Sequence, residues 1–458
     1  MRFEAVHTTG IYCRAECSAK PLAKNVEPFP NAIAAEAAGF RPCLRCRPER
    51  LPTSIGRHGP PVIEQAVLLI SEGFLDRHTE EALATRVGYS TRQLRRLFHQ
   101  IVGASPNFVA RSRRAHFARR LLDETDLSVE AIGRAAGFAG TRQMNRVIQE
   151  IFHFTPTELR SRRSRKDRLA TDGGLHLRVP YVRALDWTTL LDFFSLRAIP
   201  GVEQVSGGVY RRLTTTCGYP GVIEVSHSPE DEVLEVTAHL PTFNSIVDDV
   251  ARIRWLFGLD QPAVPESFAH DSNLAPMVSR HPGLRRPGAW DRFETAMRIL
   301  VGQQVSVRAA TTLAGRIVER YGEQFEVDAF GLSRQFPGAA TLASASLDGL
   351  GMPRSRMEMI KAFSQAVADG SLDLYDSDSL GALTATMQEI PGIGPWTAHL
   401  IAHRVMRKSD AFPASDLGLR IAVGRLIGAE RPPASVVEEL SLIHISEPTR
   451  QRLESRNH

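Results

Sequence analysis

Four of the five cysteines fall within the first 46 residues of the 458-residue chain, as Cys13-x-x-x-Cys17 and Cys43-x-x-Cys46. Two close thiol pairs joined by a loop have the ligand spacing of a tetrahedral zinc site, because each pair presents two sulfur ligands from one turn. A segment this short has little core of its own, so a bound metal would supply much of its folding energy. Two disulfides are the competing reading, which a reducing compartment would disfavour. A second set of chemically able residues lies near the C-terminus. Ile390-Pro391-Gly392-Ile393-Gly394-Pro395-Trp396 places a Gly-x-Gly turn directly before a helix, where backbone N–H groups can face an anion such as a nucleic-acid phosphate. Asp416 follows at another predicted helix start, placed to face whatever the turn positions, whereas Asp410 reads as a loop cap. Trp396 can stack on an electron-poor ring or fill a core.

The elements that must position these residues are marked by charge and repetition. Residues 1–170 hold 28 Lys+Arg against 17 Asp+Glu and the rest of the chain 28 against 34, within a net charge of +5. Positions 91–170 alone carry 17 basic against 7 acidic residues. A basic module joined to an acidic one points to nucleic acid as the partner of the basic part, although charge alone also describes an ordinary basic surface. Within the basic part, Thr79 to Phe98 and Leu127 to Ile148 repeat one pattern: a capped helix, a glycine turn at Gly88 or Gly137, and a second helix rich in Arg and Gln. This is helix-turn-helix arithmetic, with Arg92, Gln93, Arg95, Arg96, Arg142 and Gln143 as residues for base edges and phosphates. Arg47 to Pro61 and Ser161 to Gly174 read as linkers. Short β-branched runs between Val202 and Thr237 predict an antiparallel sheet, a helix follows over Ser245 to Phe257, and the pattern is helical again from Ala289. A hydrophobic content of 43% suffices for several cores. No apolar run reaches the roughly 18 residues needed to cross a bilayer, and Met1 to Glu4 opens no signal peptide, which argues for a cytoplasmic protein.

The motifs carry a resemblance over almost the whole chain. Thr8-Thr9-Gly10-Ile11-Tyr12-Cys13-Arg14 and Ala38-Gly39-Phe40-Arg41-Pro42-Cys43-Leu44-Arg45-Cys46 resemble the metal-binding domain of the Ada alkylation-response family. Residues 62–160, ending in Phe154-Thr155-Pro156-Thr157-Glu158-Leu159-Arg160, resemble the paired helix-turn-helix domain of AraC-type regulators. Residues 175–439 resemble the AlkA family of 3-methyladenine DNA glycosylases, through Val301 to Ser306, Gly349-Leu350-Gly351-Met352-Pro353 and the glycine hairpin with its Asp416. The implied fold class is multidomain and mainly α with α+β parts. Residues 1–50 would form a four-cysteine zinc domain, 62–165 an all-α double helix-turn-helix domain, 175–283 an α+β domain, and 284–439 an all-α helix-hairpin-helix glycosylase domain. The pattern is expected to break after Glu439. Residues 440–458, read as lacking helical periodicity, are expected to be a non-native tail that replaces the family's last helix.

The resemblance also implies roles. Cys13 would accept a methyl group from a methylated backbone phosphate, with Thr9 and Arg41 near that phosphate, or else serve only as a ligand of one zinc ion. Asp416 would be the glycosylase carboxylate, Trp396 the residue stacked on the flipped base, and Gln304 the wedge that fills the gap left in the duplex. Gly392 and Gly394 would touch the DNA backbone. Strand-cutting relatives carry Lys where this chain has Trp396, so a monofunctional glycosylase is expected. The C-terminal region has no cysteine, so no iron–sulfur cluster is expected. Leu400 stands where the relatives' pocket can be aromatic, and Cys217 reads as an ordinary thiol. Partners would be damaged and promoter duplex DNA together with RNA polymerase, at the nucleoid of a bacterium. The alternative is a regulator alone, with a degenerate glycosylase half.

Overall fold

The computed structural model describes residues 3–18, 22–48, 60–163, 174–181, 184–216, 218–244, 246–260, 268, 274–325, 330–375, 379–408 and 410–445. Cys217 and most of both expected linkers lie outside the described residues. The chain divides into two compact units, Met1–Val182 with Gly208–Trp255, and Arg183–Gly207 with Leu256–His458.

The first unit begins with a small sheet. Phe3–Val6 and Ile11–Arg14 form a hairpin in which Phe3 faces Arg14 and Val6 faces Ile11. Gly10, at φ 64°, sits at the end of its turn, where a residue with a Cβ would be strained. Val26–Phe29 lies antiparallel on one side, and Arg41–Pro42 runs parallel to Ile11–Tyr12 on the other. The helix Ala32–Ala37 begins at Asn31, whose side chain accepts from Ala34 N at 2.8 Å. Phe3, Ala5, Tyr12, Ala32, Ala35 and Phe40 make its core cluster, a set too small to hold such a segment without further support.

Helices Glu80–Arg86 with Thr91–Ile101, and Val129–Ala135 with Thr141–Phe152, are the two repeats. Gly88 (φ 75°) and Gly137 (φ 77°) make the left-handed residues of their turns. Thr79, Ser90 and Ser128 cap three of the four helices through side-chain oxygens. Between the repeats runs the long helix Pro106–Glu124. Its positions Ser112, His116, Arg119 and Asp123, spaced four, three and four apart, share one face. That face is polar, yet it meets the cysteine-bearing segment. Glu36, only 5% exposed, accepts from the Tyr12 hydroxyl and the Ser112 hydroxyl at 2.6 Å each, and His116 Nε2 lies 2.6 Å away. Arg47, directly after Cys46, pairs with Asp123, which also lies 2.9 Å from Arg119. The expected linker therefore starts later than Arg47, because that residue is held by a buried carboxylate; at the other end Pro61 already opens the helix Pro61–Ser71. Ile33 joins the core of the first repeat, and Asn31 donates to Val102 O at 3.1 Å.

Four further strands of this unit, Leu175–Pro180, Val209–Thr216, Tyr219–Ser228 and Val233–His239, pair antiparallel as the β-branched runs predict, with Leu175 opposite Ala238 and Arg212 opposite Ile223. The predicted helix runs over Ile246–Leu256.

The second unit is mainly helical. Arg292–Val301, Val307–Tyr321, Arg354–Ala368, Leu380–Gln388 and Pro395–Arg404 enclose a core that includes Met297, Leu300, Ile317, Ile360, Phe363, Met387 and Ile401. The expected break after Glu439 is not found: the helix Ala434–Ile445 continues past it. No Pro or Gly stands between Ala434 and Pro448, so nothing in the backbone forces an earlier stop. Among the described residues no helix is long and apolar enough to cross a membrane.

Gly103 shows how closely the cysteine-bearing segment sits on the helices. It adopts φ +85°, and a Cβ there would stand 2.6 Å from Ala34 Cβ. Gly103→Ala should lower the unfolding free energy by about 1–3 kcal/mol, from the left-handed backbone and the clash together. Denaturant unfolding of the full chain measures this, and an unchanged midpoint would contradict the close approach.

Candidate functional site

Two sites emerge, one in each unit. In the first, Cys13 lies in the strand Ile11–Arg14, next to Tyr12, and Cys17 N donates to Arg14 O at 3.0 Å in the turn that follows. Cys43 N donates to Tyr12 O at 3.0 Å, so the second pair is hung from the backbone of the first. The four sulfur ligand atoms lie within 4.8 Å of one another, and none is in a disulfide. Sulfurs about 2.3 Å from a tetrahedral zinc ion fall within such a spacing. Burial, and then the neighbouring Cys43, push the Cys13 thiol up; burial raises Cys46 to about 11. Burial works to raise Cys43 too, but the N–H groups of Cys46 and Arg45 turn it downward. Four thiols that cannot all ionise against each other are a donor set that a divalent cation completes. Thr9 is exposed in the hairpin turn, and Arg41 N donates to Gly10 O at 2.9 Å, which brings both beside the Cys13 strand.

The helix-turn-helix residues divide into two groups. Arg92, Arg96 and Arg142 are exposed on the second helices of the repeats, as is Arg146, which sequence reasoning passed over. Gln93 and Arg95, exposed on the same helix as Arg92, and the half-buried Gln143 also make contacts within the protein. Gln93 closes a capping box with Ser90, Gln143 accepts from Ala139 N at 3.0 Å, and Arg95 Nε lies 2.5 Å from Glu80.

In the second unit the hairpin runs from Leu380–Gln388 through a tight turn into Pro395–Arg404. Gly392 adopts φ 89°, and a Cβ there would press within 3.1 Å of Met359 Sδ. Gly394 has open space where its Cβ would be, and no side chain caps the helix it begins, so the approach to those N–H groups is clear. Asp416 starts the helix Leu417–Ile427. Its Oδ1 accepts from Leu419 N at 3.1 Å and its Oδ2 from the Trp396 indole N–H at 2.9 Å. Trp396 is half-buried and outside the core cluster, so its ring is not spent on packing. Gln304 is exposed at φ 55° at the tip of the turn between Arg292–Val301 and Val307–Tyr321. Its neighbour Gln303, not singled out from the sequence, donates to Gly392 O at 3.2 Å and to Thr397 Oγ1 at 2.8 Å, tying that turn to the hairpin. Arg356 donates in turn to Gln303 O at 2.6 Å. Asp410 is exposed, and Leu400 rests against the core.

Comparison with known proteins follows the same division. Residues 2–49 match the metal-binding domain of Ada, 83–162 a helix-turn-helix domain, 176–291 the AlkA N-terminal domain, and 297–444 the HhH-GPD superfamily base excision DNA repair protein. These matches define the class: a zinc-binding, helix-turn-helix DNA-binding regulator joined to a DNA glycosylase. A probable bifunctional transcriptional activator/DNA repair enzyme AlkA of Mycobacterium tuberculosis is 37% identical, over 92% of this chain and 86% of its own. DNA-3-methyladenine glycosylase 2 of Escherichia coli is 31% identical over 50% of this chain and 81% of its own. The solved 3-methyladenine DNA glycosylase of Archaeoglobus fulgidus, 27% identical, covers 58% of this chain and 92% of its own with a TM-score of 0.51. The chain belongs to the family of bifunctional transcriptional activator/DNA repair enzymes of the Ada–AlkA type.

Two tests follow from the geometry. Burial alone would raise the Glu36 carboxyl, but the adjoining His116 and the hydrogen bonds from Ser112 and Tyr12 hold it below the ordinary 4.5. A depressed carboxylate contributes stability above its unfolded value and loses it as pH falls through the folded value. Glu36→Gln should therefore destabilise the chain at pH 7, and its deficit against wild type should shrink below about pH 4.5; a deficit constant from pH 7 to 3 would contradict the charged pairing. In the second unit, Trp396→Phe removes the donor to Asp416 while keeping an aromatic ring. Base release from alkylated DNA should fall about tenfold, the equivalent of one lost hydrogen bond to a charged group. Unchanged release would show that the indole N–H does not position the carboxylate.

Proposed function

We propose that this chain hydrolyses the N-glycosidic bond of alkylated purines such as 3-methyladenine in duplex DNA, and that Cys13 takes a methyl group from a DNA methylphosphotriester to switch on the helix-turn-helix pair. The observation that carries the first part is Asp416 held between the Trp396 indole N–H and Leu419 N, beside a hairpin tied to the Gln303–Gln304 turn. The hairpin N–H groups at Gly392 and Gly394 hold the backbone while the damaged nucleotide is turned out of the stack, and Gln304 enters the gap. Trp396 offers its face to the base, whose positive charge suits the ring quadrupole. As the C1′–N bond breaks, its electron pair leaves with the base, and the Asp416 carboxylate faces the cationic sugar. Water then adds to C1′ and gives up a proton, for which Asp416 is the acceptor within reach. An alkylated purine is already a good leaving group, so one carboxylate suffices. Trp396 offers no amine for a Schiff base, which supports a monofunctional enzyme.

At the first site, Cys13 Sγ attacks the methyl carbon, the S–C bond forms, the C–O bond breaks, and a phosphodiester anion leaves. A single zinc ion held by Cys13, Cys17, Cys43 and Cys46 would keep the acceptor as a thiolate. Thr9 and Arg41, at the turn beside Cys13, are the groups for the phosphate. Loss of one negative charge on methylation favours DNA, and Arg92, Arg96 and Arg142 then meet the promoter. The bound activator would act through RNA polymerase, and the bacterial relatives support a place at the nucleoid.

Asp416→Asn tests the glycosylase reading. Wild type should release 3-methyladenine from alkylated duplex and the variant should lose at least about a hundredfold, in line with loss of a main electrostatic group. Release by the variant at the wild-type rate would overturn the assignment of Asp416, and no release by either would favour a regulator alone.

A further inference from the structure

Two guanidinium groups lie over the ring of Phe154: Arg162 Cζ is 4.2 Å from its centroid and Arg41 Cζ 5.2 Å. A ring face attracts one cation, but two cations on one ring repel each other unless an anion joins them. Arg41 stands two residues before Cys43, and its N–H donates to Gly10 O at 2.9 Å, beside the strand that bears Cys13. Among the described residues neither guanidinium has a carboxylate within ion-pair distance. The acid one turn from Arg162 is Glu158, and its carboxylate is taken up by Thr155 N at 2.7 Å and Thr155 Oγ1 at 2.9 Å. Among the described residues the Arg41 guanidinium donates to the carbonyl of Pro42, at 3.5 Å.

Rigid elements hold this arrangement. Phe154 follows the helix Thr141–Phe152 through His153, which is fixed in the left-handed region at φ 59°. Arg162 caps the end of Pro156–Ser161, a helix that begins in a capping box at Thr155. The second helix-turn-helix repeat thus delivers an exposed cation to the edge of the cysteine cluster.

We propose that Arg162 is a DNA-phosphate ligand of the methyl-acceptor site, acting with Arg41 on the backbone next to the phosphate whose methyl group goes to Cys13. The second repeat then supplies part of the methyl-transfer site, and methyl uptake is linked to how that repeat sits on DNA. This rests on the methyl-transfer reading above.

The test uses the zinc-loaded full chain and a duplex with one methylphosphotriester. Methyl uptake is followed by mass spectrometry below saturation at several salt concentrations. Arg162→Gln should lower the second-order rate about tenfold, leave the saturating rate unchanged, and make the slope of log rate against log salt shallower by about 0.9, the share of one phosphate contact. Arg162→Lys keeps the charge and should keep most of the slope. A rate within twofold of wild type with the same slope overturns the proposal, and so does a lower rate with an unchanged slope, which would make Arg162 a packing residue. If wild type takes up no methyl, the methyl-transfer reading fails; the salt slope of binding to plain duplex then tests Arg162 by itself, and an unchanged slope there overturns the assignment.

Discussion

A carboxylate removed from water must be met by donors, and the first unit is arranged around one such carboxylate. Glu36 lies on the cysteine-bearing segment, and its partners are Tyr12 from the same segment and Ser112 and His116 from the long helix of the DNA-binding part. Removing its charged partner His116 would leave a buried charge unpaired, at a cost of about 3–5 kcal/mol. Arg47, the residue after Cys46, repeats the device with Asp123. Because Tyr12 precedes Cys13 and Arg47 follows Cys46, both ends of the thiol cluster are anchored to the helix that joins the two repeats. Chemistry at a thiol is thereby attached to the scaffold that carries the DNA-reading helices.

The second unit solves a related problem at a more open place. Asp416 is partly exposed, and what it needs is direction. Leu419 N and the Trp396 indole fix its two oxygens, and Trp396 belongs to the helix that opens at the hairpin glycines. Gln303 binds the turn bearing Gln304 to the same hairpin. Asp416, the Trp396 ring, the N–H groups that open the Pro395–Arg404 helix and the turn bearing Gln304 are therefore set by one short network.

Much of this was legible in the residues. The thiol spacing, the repeated helix-turn-helix pattern, the antiparallel runs and the glycine hairpin each depend on local chemistry, and each is found. What was not legible depends on contacts far apart in the chain. Nothing near Glu36 announces a buried acid, and its partners Ser112 and His116 lie about eighty residues on. The one available signal was a polar stripe, Ser112, His116, Arg119 and Asp123, on a helix that has to be buried. The local contacts of Gln93, Arg95 and Gln143, two caps and an ion pair with Glu80, do not show in composition either. The last helix runs on to Ile445 despite weak periodicity, because no Pro or Gly breaks it.

Four thiols stand within 4.8 Å of each other, and the proposed methyl transfer uses one of them, Cys13. Peptide mapping of the full chain after reaction with a methylphosphotriester duplex tests this most directly. The predicted result is one methyl group per chain, on the peptide that contains Cys13, with Cys17, Cys43 and Cys46 unmodified. A methyl group on any of those three, or none at all on a chain that still binds zinc and DNA, would contradict it.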